Sequence, residues 1–295
     1  MSEASDFLNK ENPFDKTSDW KFLYTTTGNH PGLSVYKCED HEWQAIYPRP
    51  PQKELYSEAY YKGKSEYSYI DERETEKYQA YVWDARIKNI RKFISKGHFL
   101  DIGSSFGGFL KRAKEKGFTV QGVEISDYAA GYANENGVPT FHGTFLEAKF
   151  PDKSFDVITL IEVIEHLENP KLIFQEITRI LKPGGLLVLQ TANFEGWQAK
   201  EEKANYHYYM PGHVYYYSDS VLKEILTRLN YDRFISYFGV DFPLSAKLLK
   251  SRGSFKSILD YIKWIRIAFY HFQSKRKKNG FPLTSSYVLY AFRSR

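Results

Sequence analysis

The sequence has a single cysteine, Cys38. One thiol cannot close an internal disulfide or build a cysteine zinc site. A disulfide-stapled secreted scaffold is therefore excluded, and a reducing compartment is expected. Long apolar runs are also missing: no stretch approaches the about 20 residues that cross a bilayer as a helix. The first residues, Met1-Ser2-Glu3-Ala4-Ser5-Asp6, are acidic and lack the basic start and apolar core of a signal peptide. These absences together lead to an expected cytoplasmic location. Acidic residues are scarce in one segment. Between Leu244 and Gly280, Asp260 stands alone against ten Lys or Arg. The remainder is slightly acidic, so the overall charge of +5 arises entirely there. That pattern points to a localised anionic partner rather than a uniformly basic surface.

Hydrophobic residues make up 42% of the chain and charged residues 26%, which excludes general disorder. Aromatics are abundant, with 24 Tyr and 22 Phe. Tyrosine joins apolar area to a polar tip and suits grooves and interfaces.

Residues 1 to about 85 read as polar, aromatic and irregular, broken by Tyr47-Pro48-Arg49-Pro50-Pro51. A helical period runs from Tyr69 to Ile94. Buried strands are then expected at 98–102, 119–123, 140–142, 155–160 and 186–190. Helices are expected between them, at 108–116, 128–135 and 172–181. Parallel strands need such crossovers, and their nearly all-apolar composition fits a sheet covered on both faces. A helix at 218–229, a strand at 234–237 and a last strand at 287–292 follow. The fold class is α/β, a three-layer Rossmann-like sandwich.

Leu100-Asp101-Ile102-Gly103-Ser104-Ser105-Phe106-Gly107-Gly108 closes a strand and opens a helix. Its glycines let the backbone turn tightly against a ligand, at the strand end where such sheets bind ligands. Glu124 ends the next strand, where an acid accepts hydrogen bonds from ribose hydroxyls. A nicotinamide dinucleotide and S-adenosylmethionine compete for this pattern. The loop begins with Asp101 and reads D-x-G-x-S-x-G, without the third dinucleotide glycine. A carboxylate there repels pyrophosphate and suits a cationic sulfonium ligand.

Four blocks resemble class I S-adenosylmethionine-dependent methyltransferases over residues 98 to 240. They are Leu100 to Gly107, Gly122 to Ser126, Phe155-Asp156-Val157-Ile158 with Glu162-Val163-Ile164-Glu165-His166-Leu167, and Leu181-Lys182-Pro183-Gly184-Gly185. The resemblance implies S-adenosylmethionine as cofactor and S-adenosylhomocysteine as product. It implies a seven-stranded, mostly parallel sheet with an antiparallel last strand. It also implies that Asp101, Gly103, Ser104, Ser105, Phe106 and Gly107 hold the methionine part. Glu124 then takes the ribose, with Ile125 beside the adenine. Thr144-Phe145 stands where the family often has an Asp for the adenine amine, and Ser105 replaces a middle glycine. Ile161 and Glu162 lie by the transferred methyl.

Methyl transfer from a sulfonium is an in-line displacement, and an oxygen or carbon acceptor also needs a base. The candidates are His166, four residues after Glu162, and His213 in the stretch Tyr206 to Tyr217. Against these stand a structural, loop-anchoring His166 and a purely packing aromatic loop. The absence of an Asn/Asp-Pro-Pro-Tyr block speaks against nucleic-acid or glutamine nitrogen. The expected acceptor is a small molecule or glycan precursor, methylated at oxygen or carbon. An RNA methyltransferase and a non-catalytic S-adenosylmethionine-binding module are the alternatives.

Within the N-terminal segment 1–85, Tyr36 to Pro50 and then Glu54 to Tyr61 resemble the zinc-ribbon-like module found ahead of many bacterial relatives. With only Cys38 beside Asp40 and His41, a degenerate, metal-free lid is expected. Residues 86–295 form the expected methyltransferase domain. The insertion 244–280 carries Ile258, Leu259, Ile262, Ile265, Phe269 and Phe272 at helical spacing among its basic residues. It reads as a helix packed on the domain, a peripheral contact with the inner membrane face, or a nucleic-acid surface.

Overall fold

A computed structural model describes residues 3–14, 17–49 and 71–295. The chain begins with helix α1 (Glu3–Lys10) and strands β1 (Trp20–Thr25), β2 (Ser34–Cys38) and β3 (Trp43–Ile46). Helix α2 (Glu72–Ile90) leads into β4 (Gly97–Ile102), α3 (Gly108–Glu115), β5 (Phe118–Glu124), α4 (Asp127–Glu135) and β6 (Thr140–His142). Next come β7 (Phe155–Ile161), α5 (Pro170–Ile180), β8 (Leu181–Ala192), α6 (Trp197–Glu202), β9 (Tyr215–Tyr217), α7 (Asp219–Arg228) and β10 (Tyr231–Phe238). Helices α8 (Leu244–Ser251) and α9 (Lys263–Gln273), the short pair β11 (Lys277–Lys278) and β12 (Phe281–Pro282), and β13 (Ser286–Arg293) complete it.

The main sheet runs β10-β13-β8-β7-β4-β5-β6. Its strands are parallel except β13, which lies antiparallel between β8 and β10. This is the expected α/β Rossmann-like sheet. Alternation along the strands divides the interior. Leu100, Ile158, Leu187 and Leu289 face one layer, with Phe174 and Ile177 of α5 and Leu222 and Ile225 of α7. Phe99, Val157, Val188 and Val288 face the other, with Ile87 and Ile90 of α2 and Phe109 and Leu110 of α3. Helix starts follow local chemistry. Asn169 accepts from the Leu172 N–H ahead of Pro170, and Ser218 accepts from the Val221 N–H.

Three expectations need correction. The segment before residue 50 is not irregular, because β1, β2 and β3 form an antiparallel sheet completed by β9. Its alternation is masked in sequence because aromatics occupy both faces. The stretch after Thr191 is likewise more than a loop, since Tyr215–Tyr217 is that fourth strand. Finally, strand β8 starts at Leu181, with Lys182-Pro183-Gly184-Gly185 absorbed as a register break opposite Phe155 and Val157.

The boundary placed at 85/86 falls inside α2. Cys38 is buried in the core, and the His41 ring stacks on Phe14 at 3.5 Å while its Nδ1 meets Glu224 at 3.1 Å. Residues 54–61 of the proposed module lie outside the described residues. No helix among the described residues is long and apolar enough to cross a membrane.

Candidate active site

The β4–α3 turn needs left-handed backbone at Gly103 (φ 74°), Ser105 (φ 49°) and Gly107 (φ 78°). Gly103 is also fixed sterically, since a Cβ there would lie 2.5 Å from Val163 Cγ2. Asp101 is buried and its Oδ1 accepts from Thr159 Oγ1 at 2.5 Å. Glu124, at the end of β5, accepts from the Ser105 N–H and the Ser126 N–H, each at 2.9 Å. The acid expected at a ribose therefore also clamps the glycine turn to the next strand, using both carboxylate oxygens.

The Ser104 and Ser105 hydroxyls are buried and have no hydrogen-bond partner. Orphaned buried hydroxyls beside a tight turn call for a partner, an ordered water or a bound polar ligand. Ile125, next to Glu124, leaves 47% of its surface open and can support a flat ring. The loop from Asp101 to Gly107 contains no Lys or Arg, and two carboxylates flank it. This donor set fits a cationic sulfonium ligand with ribose hydroxyls better than a pyrophosphate. Thr144 is the N-cap of the short helical turn Phe145–Ala148, bonded to Glu147 at 2.7 Å through its hydroxyl. Phe145 packs in the core beneath Val123.

Two features were not singled out in the sequence. Arg73, near the start of α2, lies 4.1 Å over the Phe106 ring and 4.9 Å over Tyr132, and donates to the Tyr128 hydroxyl at 2.8 Å. Its charge is paired with Asp71 at 2.6 Å, so the guanidinium stacked on the turn is compensated by a carboxylate. Glu165 is buried, and its Oε2 has no hydrogen-bond partner. Burial pushes its carboxyl up to about 8, so it is largely protonated at neutral pH. The repeat of acids in Glu162-Val163-Ile164-Glu165-His166 was the available signal. Sequence alone does not show which acid turns inward.

The structure brings Glu165, His166 and His213 together, with one ligand atom of each within 4.8 Å of the others. His166 Nδ1 lies 2.7 Å from the Gly212 carbonyl, an acceptor only, so Nδ1 carries the proton and Nε2 the lone pair. Its ring meets the His213 ring edge-on at 4.5 Å. Burial lowers His166 to about 4. Burial and then His166 lower His213, whose Nδ1 has no partner. Both imidazoles are therefore neutral near pH 7. The Val214 N–H donates to the Glu165 carbonyl at 2.8 Å, tying the tyrosine segment to the end of β7.

Glu162 stands apart from this cluster. It is exposed and held at φ 57°, an uncommon conformation for a non-glycine residue and a frequent one at functional sites. Its Oε1 accepts from Gln190 Nε2 at 2.9 Å. Gln190 Oε1 accepts from Arg86 at 2.5 Å, and Arg86 forks onto the buried Asp241. Ile161, half-buried, packs on the α2 side of the sheet. The parallel strands β4, β5 and β7 thus bring Asp101, Glu124 and Glu162 to one edge of the sheet.

A methyltransferase-domain family model matches residues 75–233. Among sequence relatives, the ubiquinone biosynthesis O-methyltransferase of Rickettsia conorii is 30% identical over 115 residues, which are 37% of this chain and 40% of the relative. The 2-methyl-6-phytyl-1,4-hydroquinone methyltransferase of Synechocystis is 28% identical over 146 residues, 48% of this chain and 42% of the relative. The chain therefore spans less than half the length of these two. Among solved structures, an S-adenosylmethionine-dependent methyltransferase from Mesorhizobium loti superposes with TM-score 0.50 at 15% identity, over 70% of this chain and 96% of that one. A chain of the Haloferax volcanii complex between the Trm112 methyltransferase activator and a methyltransferase gives TM-score 0.51 at 16% identity, over 76% and 95%. At these identities the two structures establish the fold. With more than half of its residues matched by the family model, the chain belongs to the methyltransferase-domain family, with the Rossmann-like α/β fold of these structures.

Proposed function

We propose that this protein transfers the methyl group of S-adenosylmethionine to oxygen or carbon of a small-molecule acceptor. The observation that carries the reading is the lysine- and arginine-free glycine turn, with its unpartnered Ser104 and Ser105 hydroxyls between Asp101 and Glu124. Bound S-adenosylmethionine supplies an electrophilic methyl on a sulfonium centre. Asp101 and Glu124 hold the ligand's polar groups, Ile125 shelves its base, and Ile161 and Glu162 border the reacting end. His213 is the proton acceptor for the substrate: it is neutral, buried and unpartnered at Nδ1. His166 positions it from the side, with its tautomer set by the Gly212 carbonyl.

The relatives named for ubiquinone O-methylation and hydroquinone methylation support a small-molecule acceptor. Glycan precursors, tested as sugar nucleotides, form the second acceptor panel. Calorimetric titration with S-adenosylmethionine and S-adenosylhomocysteine tests the cofactor. Micromolar binding that disappears in Asp101→Ala is expected. Absence of binding to either ligand by the wild-type chain removes the reading.

A further inference from the structure

We propose that helix α9 and the basic turn after it seat on an anionic lipid surface. Ile258 opens the 3-10 turn Ile258–Ile262 that leads into α9, and Ile262, Ile265, Phe269 and Phe272 follow at spacings of three and four residues through the cap and body of α9, so these last four share one helical stripe. In chain order the five side chains are open at 80%, 67%, 74%, 62% and 57%. Helices of a globular domain turn such a stripe inward, but here the opposite face is the packed one. Trp264 donates to Ser251 Oγ of α8 at 3.1 Å, and His271 is buried. The apolar row is therefore outward by construction.

Charge decides what covers it. Lys256, Arg266, Lys275, Arg276, Lys277 and Lys278 are all exposed around the stripe. The segment's one acid, Asp260, is engaged by Lys263 at 2.6 Å and by the Lys256 and Ser257 N–H groups. An apolar stripe rimmed by cations is complementary to a leaflet with hydrocarbon below and phosphate above. A second copy of this chain would set like charges against each other. A nucleic acid would use the cations and leave the apolar row in water.

Topology places this surface at the working edge of the sheet. β10 runs parallel to β8, and the insertion leaves from Phe238, paired with Tyr287, and returns at Ser286, paired with Ala192. The Asn193 N–H donates to the Ser285 carbonyl at 2.9 Å, and Lys278 lies 4.1 Å over the Trp197 ring. The insertion is thus rooted at the strand ends that carry Glu162 and the glycine turn. Docking would hold that edge close to the leaflet.

The test is flotation of the full chain with phosphatidylcholine vesicles, with and without phosphatidylglycerol, at physiological salt. The wild type is expected to float with the anionic vesicles and much less with neutral ones. Ile265→Asp with Phe269→Asp should weaken flotation more than tenfold, because both side chains are solvent-exposed in the fold and leave water only on docking. Lys277→Gln with Lys278→Gln should cost about fivefold per charge. S-adenosylmethionine binding of all these variants should match wild type, which separates docking from misfolding and from failure of the methyl-transfer reading. No flotation, or flotation unchanged by the paired aspartates, overturns the proposal. So does tight binding to poly(U) that survives Ile265→Asp, which assigns the surface to nucleic acid. A dimer split by Ile265→Asp overturns it in favour of a second copy.

Discussion

Removing the Arg86 guanidinium should destabilise the whole domain, because it would strand a buried carboxylate. Arg86 Nε and Nη2 reach Asp241 at 2.8 to 3.1 Å, and both side chains are buried between α2 and the root of the insertion. Tyr290 adds a hydrogen bond to Asp241 Oδ2 at 2.6 Å. Burial alone would raise Asp241, but Arg86 and the tyrosine hydroxyl outweigh it and hold the carboxyl below its ordinary range. Breaking one side of such a pair costs about 3–5 kcal/mol. For a chain of this size that is a fall of about 5–8 °C in melting temperature.

Arg86→Met should show this loss in urea and thermal melts at pH 7. Arg86→Met with Asp241→Leu should regain much of it, because no charge is then left stranded. The sign with pH follows from the lowered carboxyl. The pair's contribution is complete above the ordinary carboxylate range and is lost as pH falls through the lower folded value. The gap between wild type and Arg86→Met should therefore shrink in acid. A single Arg86→Met that melts with wild type at pH 7, or a double variant no better than the single, refutes the reasoning.

Other expectations follow from the site. Gly103→Ala forces a Cβ to 2.5 Å from Val163 at φ 74° and should weaken S-adenosylmethionine binding at least tenfold by calorimetry, while the far-UV spectrum stays native. His213→Ala should lower kcat by about 10²–10⁴-fold with little change in cofactor affinity, read in single-turnover assays on an identified acceptor. Glu165→Gln probes linkage. The raised Glu165 carboxyl favours the fold fully below the ordinary carboxylate range, and that advantage is lost as pH rises to about 8. The variant should therefore gain stability relative to wild type between those limits. A difference in melting temperature that does not change with pH would count against a buried, protonated Glu165.

Much of this protein was legible before any coordinates. The strand–turn–helix at Leu100 to Glu115, the acid at Glu124, the strands before Ile161 and Leu189, and the closing strand depend on local periodicity, glycine placement and short-range spacing. These act over one or two elements, so the sequence carried the α/β sheet nearly element by element and set the glycine turn and Glu124 at its strand ends. The apolar spacing of 258–272 was equally plain.

What the sequence could not decide depends on contacts between distant segments. Trp43 meets Tyr217, in register across the N-terminal sheet, only because β3 pairs with β9. No local pattern announces a partner that far along the chain. Glu165 and Glu162 are chemically alike and three residues apart, yet one is buried beside His213 and the other is held open at positive φ. Arg86, Gln190 and Asp241 form one network across three elements. The outward direction of the α9 stripe likewise awaited the fold, because periodicity states which residues share a face. Packing of Trp264 and His271 on the domain states which face remains for solvent or for a partner.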